Sequence, residues 1–148
     1  LKGKEISEYL AKLKAAPFLE EIAENDILIT ADTIVWLEGK ALGKPKNKEE
    51  ASEMLRSLSN KSHEVISSMA LTTIHKQVIL SEKTTVRFKE LTDQEIHYYI
   101  ENFKPFDKAG AYGIQEWLGF IGIERIEGSY FNVVGFPVQK FYEAMLHI

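Results

Sequence analysis

An aspartate stands in the middle of an apolar, β-branched run, ILITADTIVWL from Ile27 to Leu37. A carboxylate among residues that want burial is costly unless it is paired, hydrogen-bonded or bound to a metal. Asp32 therefore reads either as a turn-capping residue at a strand end or as a general base or metal ligand whose surroundings tune its proton affinity. A second candidate is Lys44 in ALGKP, held between Gly43 and Pro45. Glycine lets backbone approach a ligand closely, proline stiffens the chain after it, and lysine is a compact charge suited to phosphate oxygens. The bland reading is a surface lysine ahead of a helix. The third is the segment DKAGAYGIQ, Asp107 to Gln115, which is too polar and glycine-rich for a core element. It offers an acid, a lysine and, in Gln115, an amide that is both donor and acceptor, as reading a base edge requires. Tyr112 would pack on a ligand ring or, more simply, in the core. Glu116 reads either way.

Other chemistries find no support. The spacing G-x-x-x-x-G-K-[ST] of a P-loop is absent, no serine sits in a G-x-S-x-G elbow, and His63, His75, His97 and His147 show no metal-binding spacing. Those histidines read as surface or satisfied core residues. With no cysteine there are no disulfides and no thiolate metal sites, which suits a reducing cytoplasm. The net charge of −4, with lysines scattered among acids, argues against a duplex nucleic-acid binder. It leaves room for a phosphorylated small molecule met by a few local lysines and a cation. No apolar run approaches the roughly 20 residues that span a bilayer.

The elements that must position these groups follow from periodicity. At 148 residues, 45% of them hydrophobic and 27% charged, the chain has the size and composition of one globular domain. Ile6, Tyr9, Leu10 and Leu13 recur at helical spacing and predict an amphipathic first helix, with Lys12 and Lys14 on its solvated face, broken at Pro17. Ile27–Leu37 predicts a strand closed by a turn at Glu38-Gly39-Lys40. Asn47 with Glu50 caps a second helix buried through Ala51, Met54, Leu55 and Leu58. HEVISSMALTTI and QVILSEKTTVRF predict a long antiparallel hairpin meeting near His75-Lys76. Thr92 and Glu95 form a capping box ahead of a helix buried through Ile96, Tyr99, Ile100 and Phe103. GFIGIERIEG predicts a further strand, and Pro137 opens a last helix with Val138, Phe141, Met145 and Ile148 on one face. The expected fold is a single mixed α/β domain over residues 1–148, with a long central β-hairpin and surrounding helices.

In this order, ADTIV, LGKP, the HEV run, DKAGAYGIQ and RIEGSYFNVVGFP resemble the Maf family of nucleoside triphosphate pyrophosphatases over nearly the whole sequence. The resemblance implies a mixed α/β fold related to the inosine triphosphate pyrophosphatases, commonly a homodimer. It implies hydrolysis of nucleoside triphosphates to monophosphate and pyrophosphate with a divalent cation, Mg²⁺ or Mn²⁺. On it, Asp32 matches the catalytic aspartate and a metal ligand, and Lys14 and Lys44 match phosphate-facing lysines. Asp107 and Lys108 line the same cleft, with Asp107 as companion metal ligand. Thr33 and Gln115 match two positions that separate substrate branches, and this pair is similar to the dTTP/UTP branch rather than the 7-methyl-GTP branch. A link of the family to septum formation supplies an alternative, a nucleotide-binding regulator. Family members begin with a strand and a basic loop, roughly S-x-S-P-R-R. This sequence opens on Leu1 at about the family's first long helix, so that segment is expected upstream.

Overall fold

A computed structural model describes all residues from Leu1 to Ile148. A five-stranded, wholly antiparallel sheet of order β2-β1-β3-β4-β5 organises the chain. Its strands are β1 (Leu28–Leu37), β2 (Lys40–Leu42), β3 (Ser62–Thr72), β4 (Gln77–Phe88) and β5 (Ile123–Glu127). The expected hairpin is the β3–β4 pair, in register from Ser62↔Arg87 to Thr72↔Gln77 and closed by the Thr73 N–H to Lys76 carbonyl bond of 2.8 Å. β1 and β2 are joined by the predicted tight turn, in which Glu38 and Gly39 both take positive φ, the conformation a two-residue hairpin connection requires.

The helices are α1 (Lys4–Ala15), α2 (Lys48–Leu58), α3 (Asp93–Phe103), α4 (Trp117–Gly122), α5 (Tyr130–Val134) and α6 (Val138–Met145). Asn47 caps α2 by accepting from the Glu50 amide at 2.8 Å, and Thr92 with Glu95 completes a reciprocal capping box on α3. A single 3-10 turn at Ala16–Phe18 follows α1, placing Pro17 where the helix can no longer continue. The main core lies against one sheet face. Val35, Val65, Val86 and Phe88 meet Leu55 and Leu58 of α2 and Ile96, Tyr99 and Ile100 of α3 there.

Three expectations need correction. α1 buries Ser7, Ala11 and Ala15 against the other sheet face, whereas Tyr9 and Leu13 are exposed. The small side chains let the helix approach closely enough for Ser7 Oγ to bond Ser68 Oγ at 2.7 Å and for the Ala11 carbonyl to accept from Thr30 at 2.7 Å. Ile6 and Leu10 are half-buried beside these small residues, so apolar spacing found the helix and only part of its contact face. Second, GFIGIERIEG is a strand only from Ile123 onward; its first residues close α4, whose Leu118 and Gly122 are buried. Third, Pro137 is the residue before α6, and that helix buries no side chain completely, with Val138 exposed.

Candidate functional site

The middle strand β3 covers β1 from Leu28 to Trp36, but β2 covers the opposite side of β1 only from Val35 to Leu37. The edge from Leu28 to Ile34 is therefore free, and a cleft of about 370 Å³ runs along it. Successive strand residues point to opposite faces, yet at a free edge both can reach the same space. Hence Asp32 and Thr33 line the cleft together. β2 ends at Leu42, and the chain leaving it brings Lys44 to the rim; Asp107, Lys108 and Gln115 line the facing side. Lys14 enters from the last turn of α1. Lys14, Asp32, Thr33, Lys44, Asp107, Lys108 and Gln115 thus line one cleft, while Glu116 stays outside it.

Lys14 Nζ donates to Asp32 Oδ1 at 2.7 Å and to the Ala31 carbonyl at 3.0 Å. Lys14, expected on a solvated helix face, remains exposed like Lys12 but turns its ammonium onto the strand. Only Oδ1 of Asp32 is engaged by the protein; Oδ2 carries no hydrogen bond and is free for a ligand or a water. Lys108 Nζ bonds both oxygens of Asp107, at 3.2 and 3.4 Å, and that hydrogen bond holds the Asp107 carboxyl below the usual carboxylate range. Lys44 makes no ion pair, yet lies close enough to lower Asp107 further. The cleft therefore sets three lysines, Lys14, Lys44 and Lys108, against two aspartates, a surplus of basic groups suited to phosphates.

The loop wall is built from a few special positions. Gly110 has φ 71°, and its N–H donates to the Gly43 carbonyl at 3.1 Å, joining this loop to the one bearing Lys44. A Cβ on Gly110 would come within 3.0 Å of Val35, so only glycine lets the loop lie on the strand. Tyr112 is buried, as the core reading expects, and its hydroxyl meets His63 Nε2 at 2.6 Å. Burial lowers the His63 pKa to about 4, so this is a neutral core imidazole, also packed edge-on against Phe88. Glu116, open to either reading, accepts from the buried Tyr99 hydroxyl at 2.5 Å.

One wall has no role assigned from the sequence, although its residues lie within the RIEGSYFNVVGFP stretch. Val133, Val134 and Gly135, at the end of α5, close the cleft beside Thr33. Asn132, fully buried, fixes them: its side-chain amide donates to the Val65 and Glu82 carbonyls and to Thr84 Oγ1 at 2.9–3.1 Å. Its backbone carbonyl accepts from Ser67, which shares a 2.7 Å bond with Thr33 Oγ1. The available signal was Ser129 three residues before Asn132, an N-cap whose hydroxyl accepts from the Asn132 amide.

No group of three or more histidine, aspartate or glutamate side chains converges anywhere in the chain, which leaves Asp32 and Asp107 as the carboxylate donors of the cleft. Lys14 takes Oδ1 of Asp32 and Lys108 both oxygens of Asp107. Asp32 Oδ2 is therefore the carboxylate oxygen open to a cation of the magnesium kind, which needs only one or two carboxylates from protein and takes its remaining ligands from phosphate and water.

The family model for Maf-like proteins matches residues 2–148. Among curated relatives, a dTTP/UTP pyrophosphatase from Christiangramia forsetii is 57% identical over 145 residues, covering 98% of this chain and 74% of that protein. One of the same description from Flavobacterium johnsoniae is 56% identical over 143 residues, 97% of this chain and 74% of that protein. Another, from Bacteroides fragilis, is 54% identical over 145 residues, 98% of this chain and 75% of that protein. No helix is long and apolar enough to cross a membrane.

Proposed function

The chain belongs to the Maf family, and from that premise we propose that it hydrolyses dTTP and UTP to the nucleoside monophosphate and pyrophosphate. The observation that carries the reading is the convergence of Asp32, Thr33, Lys14, Lys44, Asp107, Lys108 and Gln115 on one cleft. Relatives of 54–57% identity bearing that activity in their descriptions support the choice of substrate.

In this reading Lys14 fixes Asp32 through Oδ1, which leaves Oδ2 to take a proton from the attacking water. The water oxygen bonds to the α-phosphorus, the bridging P–O bond to the β-phosphate breaks, and pyrophosphate leaves with that electron pair. Lys14, Lys44 and Lys108 counter the charge that gathers on the phosphates. Asp32, and Asp107 once Lys108 turns from it to the phosphates, would hold Mg²⁺ or Mn²⁺, which when bound would neutralise phosphate charge and polarise the reacting group. Gln115 reads the carbonyl and N–H of the pyrimidine edge, as one amide can serve both. Thr33 shapes the wall beside it, its hydroxyl held by Ser67. A site built to hydrogen-bond a base rejects one that leaves its polar groups unpaired.

A homodimer and a cytoplasmic location belong to the same proposal. The exposed Phe131, Tyr142 and Leu146 suit the first, and the supply of nucleoside triphosphates suits the second. The test is pyrophosphate release by the full-length protein across dTTP, UTP, CTP, dATP and 7-methyl-GTP with Mg²⁺ or Mn²⁺. Turnover should favour dTTP and UTP. Tight nucleotide binding without release under either cation would replace the enzyme by a nucleotide-binding regulator, and preference for 7-methyl-GTP would move the substrate.

A further inference from the structure

Gln115 stands on a turn whose ends are tied together by the Glu116 N–H to Gly113 carbonyl bond of 3.0 Å. One buried hydroxyl reaches both ends of that turn. Tyr99 Oη donates to Glu116 Oε1 at 2.5 Å and accepts from the Gly113 N–H at 3.1 Å. Tyr99 is wholly buried on α3 and stacks on Phe103 with ring centres 5.3 Å apart, so its hydroxyl has no freedom to swing away. Burial, reinforced by the Glu116 carboxylate, pushes the phenol far above its ordinary pKa and keeps it a proton donor.

The same turn seats a phosphate-facing lysine. A Cβ at Gly113 would lie 2.8 Å from Lys108 Cε and 3.2 Å from Glu116 Oε1, so the lysine stem rests on bare backbone beside the Glu116 carboxylate. Neither Tyr99 nor Glu116 lines the cleft. Whatever they do for the reaction, they do through Gln115 and Lys108.

We propose that Tyr99 and Glu116 are positioning residues for base recognition: the tyrosine hydroxyl, held between the Glu116 carboxylate and the Gly113 amide, locks the turn that presents Gln115 and thereby sets discrimination among pyrimidine triphosphates. The proposal rests on the reading that Gln115 faces the base. A purely structural pair would govern stability and nothing else. A lock on the turn makes a different demand, because a looser turn still admits every triphosphate but loses its preference between uracil and cytosine edges.

The experiment measures kcat and KM for UTP and CTP, with melting temperatures, in full-length Tyr99→Phe, Glu116→Ala, Glu116→Gln and the Tyr99→Phe/Glu116→Ala double variant. Gln115→Ala runs in parallel. Removing a hydrogen bond to a charged group should lower the UTP-over-CTP ratio of kcat/KM by about tenfold in Tyr99→Phe and Glu116→Ala, through KM. The double variant should be no worse than Tyr99→Phe alone, since Glu116→Ala breaks only a bond that Tyr99→Phe has already removed. Glu116→Gln keeps an acceptor for the phenol and should restore most of the ratio. Glu116 is half-buried at the start of α4, so its variants report on the lock even where Tyr99→Phe fails to fold. A ratio unchanged in Gln115→Ala would overturn the base-reading role itself. A ratio altered in Gln115→Ala but intact in Glu116→Ala and in folded Tyr99→Phe would overturn the lock alone.

Discussion

Asp32 and Gln115 face the same cleft but are held there by different means. Asp32 stands on a strand whose inner side is paired residue by residue, from Leu28↔Thr72 to Trp36↔Glu64. Its position is fixed by backbone hydrogen bonds that no side-chain substitution removes. Gln115 stands on a short turn held by the Tyr99 hydroxyl, a left-handed glycine and one backbone contact to the loop of Lys44. Each of those supports belongs to a single residue. The Asp32 side chain can therefore be exchanged at the cost of chemistry alone, whereas supports of the loop cannot be exchanged without moving what the loop carries.

The largest expected effect tests the strand side. Asp32→Asn keeps shape and register, loses the proton acceptor, and should lower pyrophosphate release by about a thousandfold. Stability should hardly change, because the lost ion pair is open to solvent at Lys14 and only partly buried at Asp32, and such pairs contribute about 1 kcal/mol or less. Normal turnover would remove Asp32 from the proton-accepting role. A large drop in melting temperature would break the comparison by making Asp32 a structural residue.

The same contrast explains what could be seen in the sequence. Asp32 is visible because an acid interrupts an apolar strand, and the β3–β4 hairpin because two long β-branched runs flank a short polar link. The partnership of Asp32 with Lys14 is not visible locally, since helical periodicity places Lys14 among solvated residues and only the path of the chain after Pro17 brings it back. Small residues mislead at α1, where Ser7, Ala11 and Ala15 form the contact that Tyr9 and Leu13 look suited to form. The α5 wall is invisible because a buried asparagine looks like any other until its carbonyl partners on β3 and β4 are known. Gln115 can be named, but its support cannot: Tyr99 reads correctly as a core residue, and its hydroxyl has meaning only beside Glu116 and Gly113.

His63 joins the two regions, since it sits on β3 and meets Tyr112 of the loop segment. Its pKa falls to about 4 on burial, against an ordinary value of 6.5. Between those values the unfolded chain binds more protons than the folded one, so stability rises with pH. The contribution is complete above pH about 6.5 and is lost as pH falls to about 4, a change of about 3 kcal/mol. The lowered carboxyls of Glu95, Glu101 and Asp107 add their own loss at lower pH, leaving the upper part of the window to His63. Denaturant unfolding at a series of pH values should show that slope, and His63→Gln, which retains a donor towards Tyr112, should flatten it. A slope that survives the substitution would assign it to other groups and leave sheet and loop uncoupled at this point.

The smallest change tests the loop side at its hinge. Gly110 has φ 71°, and Ala111 beside it has φ 64°, so two successive residues are left-handed and only one of them is a glycine. Gly110→Ala would place a second side chain in that region and press a methyl to within 3.0–3.2 Å of three Val35 side-chain atoms. Strain of this kind costs about 1–3 kcal/mol, which a folded domain can survive. Relief must come from the loop, because Val35 is held on both sides by β2 and β3. Moving the loop loosens the Gly110–Gly43 bond and with it the placement of Lys44 and Lys108. The expected result is a folded protein about 2 kcal/mol less stable, with kcat/KM for dTTP reduced far more than the stability loss at the assay temperature explains. Chemical denaturation gives the first quantity and steady-state kinetics the second. An equally destabilised variant with unimpaired kcat/KM would show that the loop keeps its geometry without Gly110, and the contrast between a strand that tolerates substitution and a loop that does not would fail at the position best placed to reveal it.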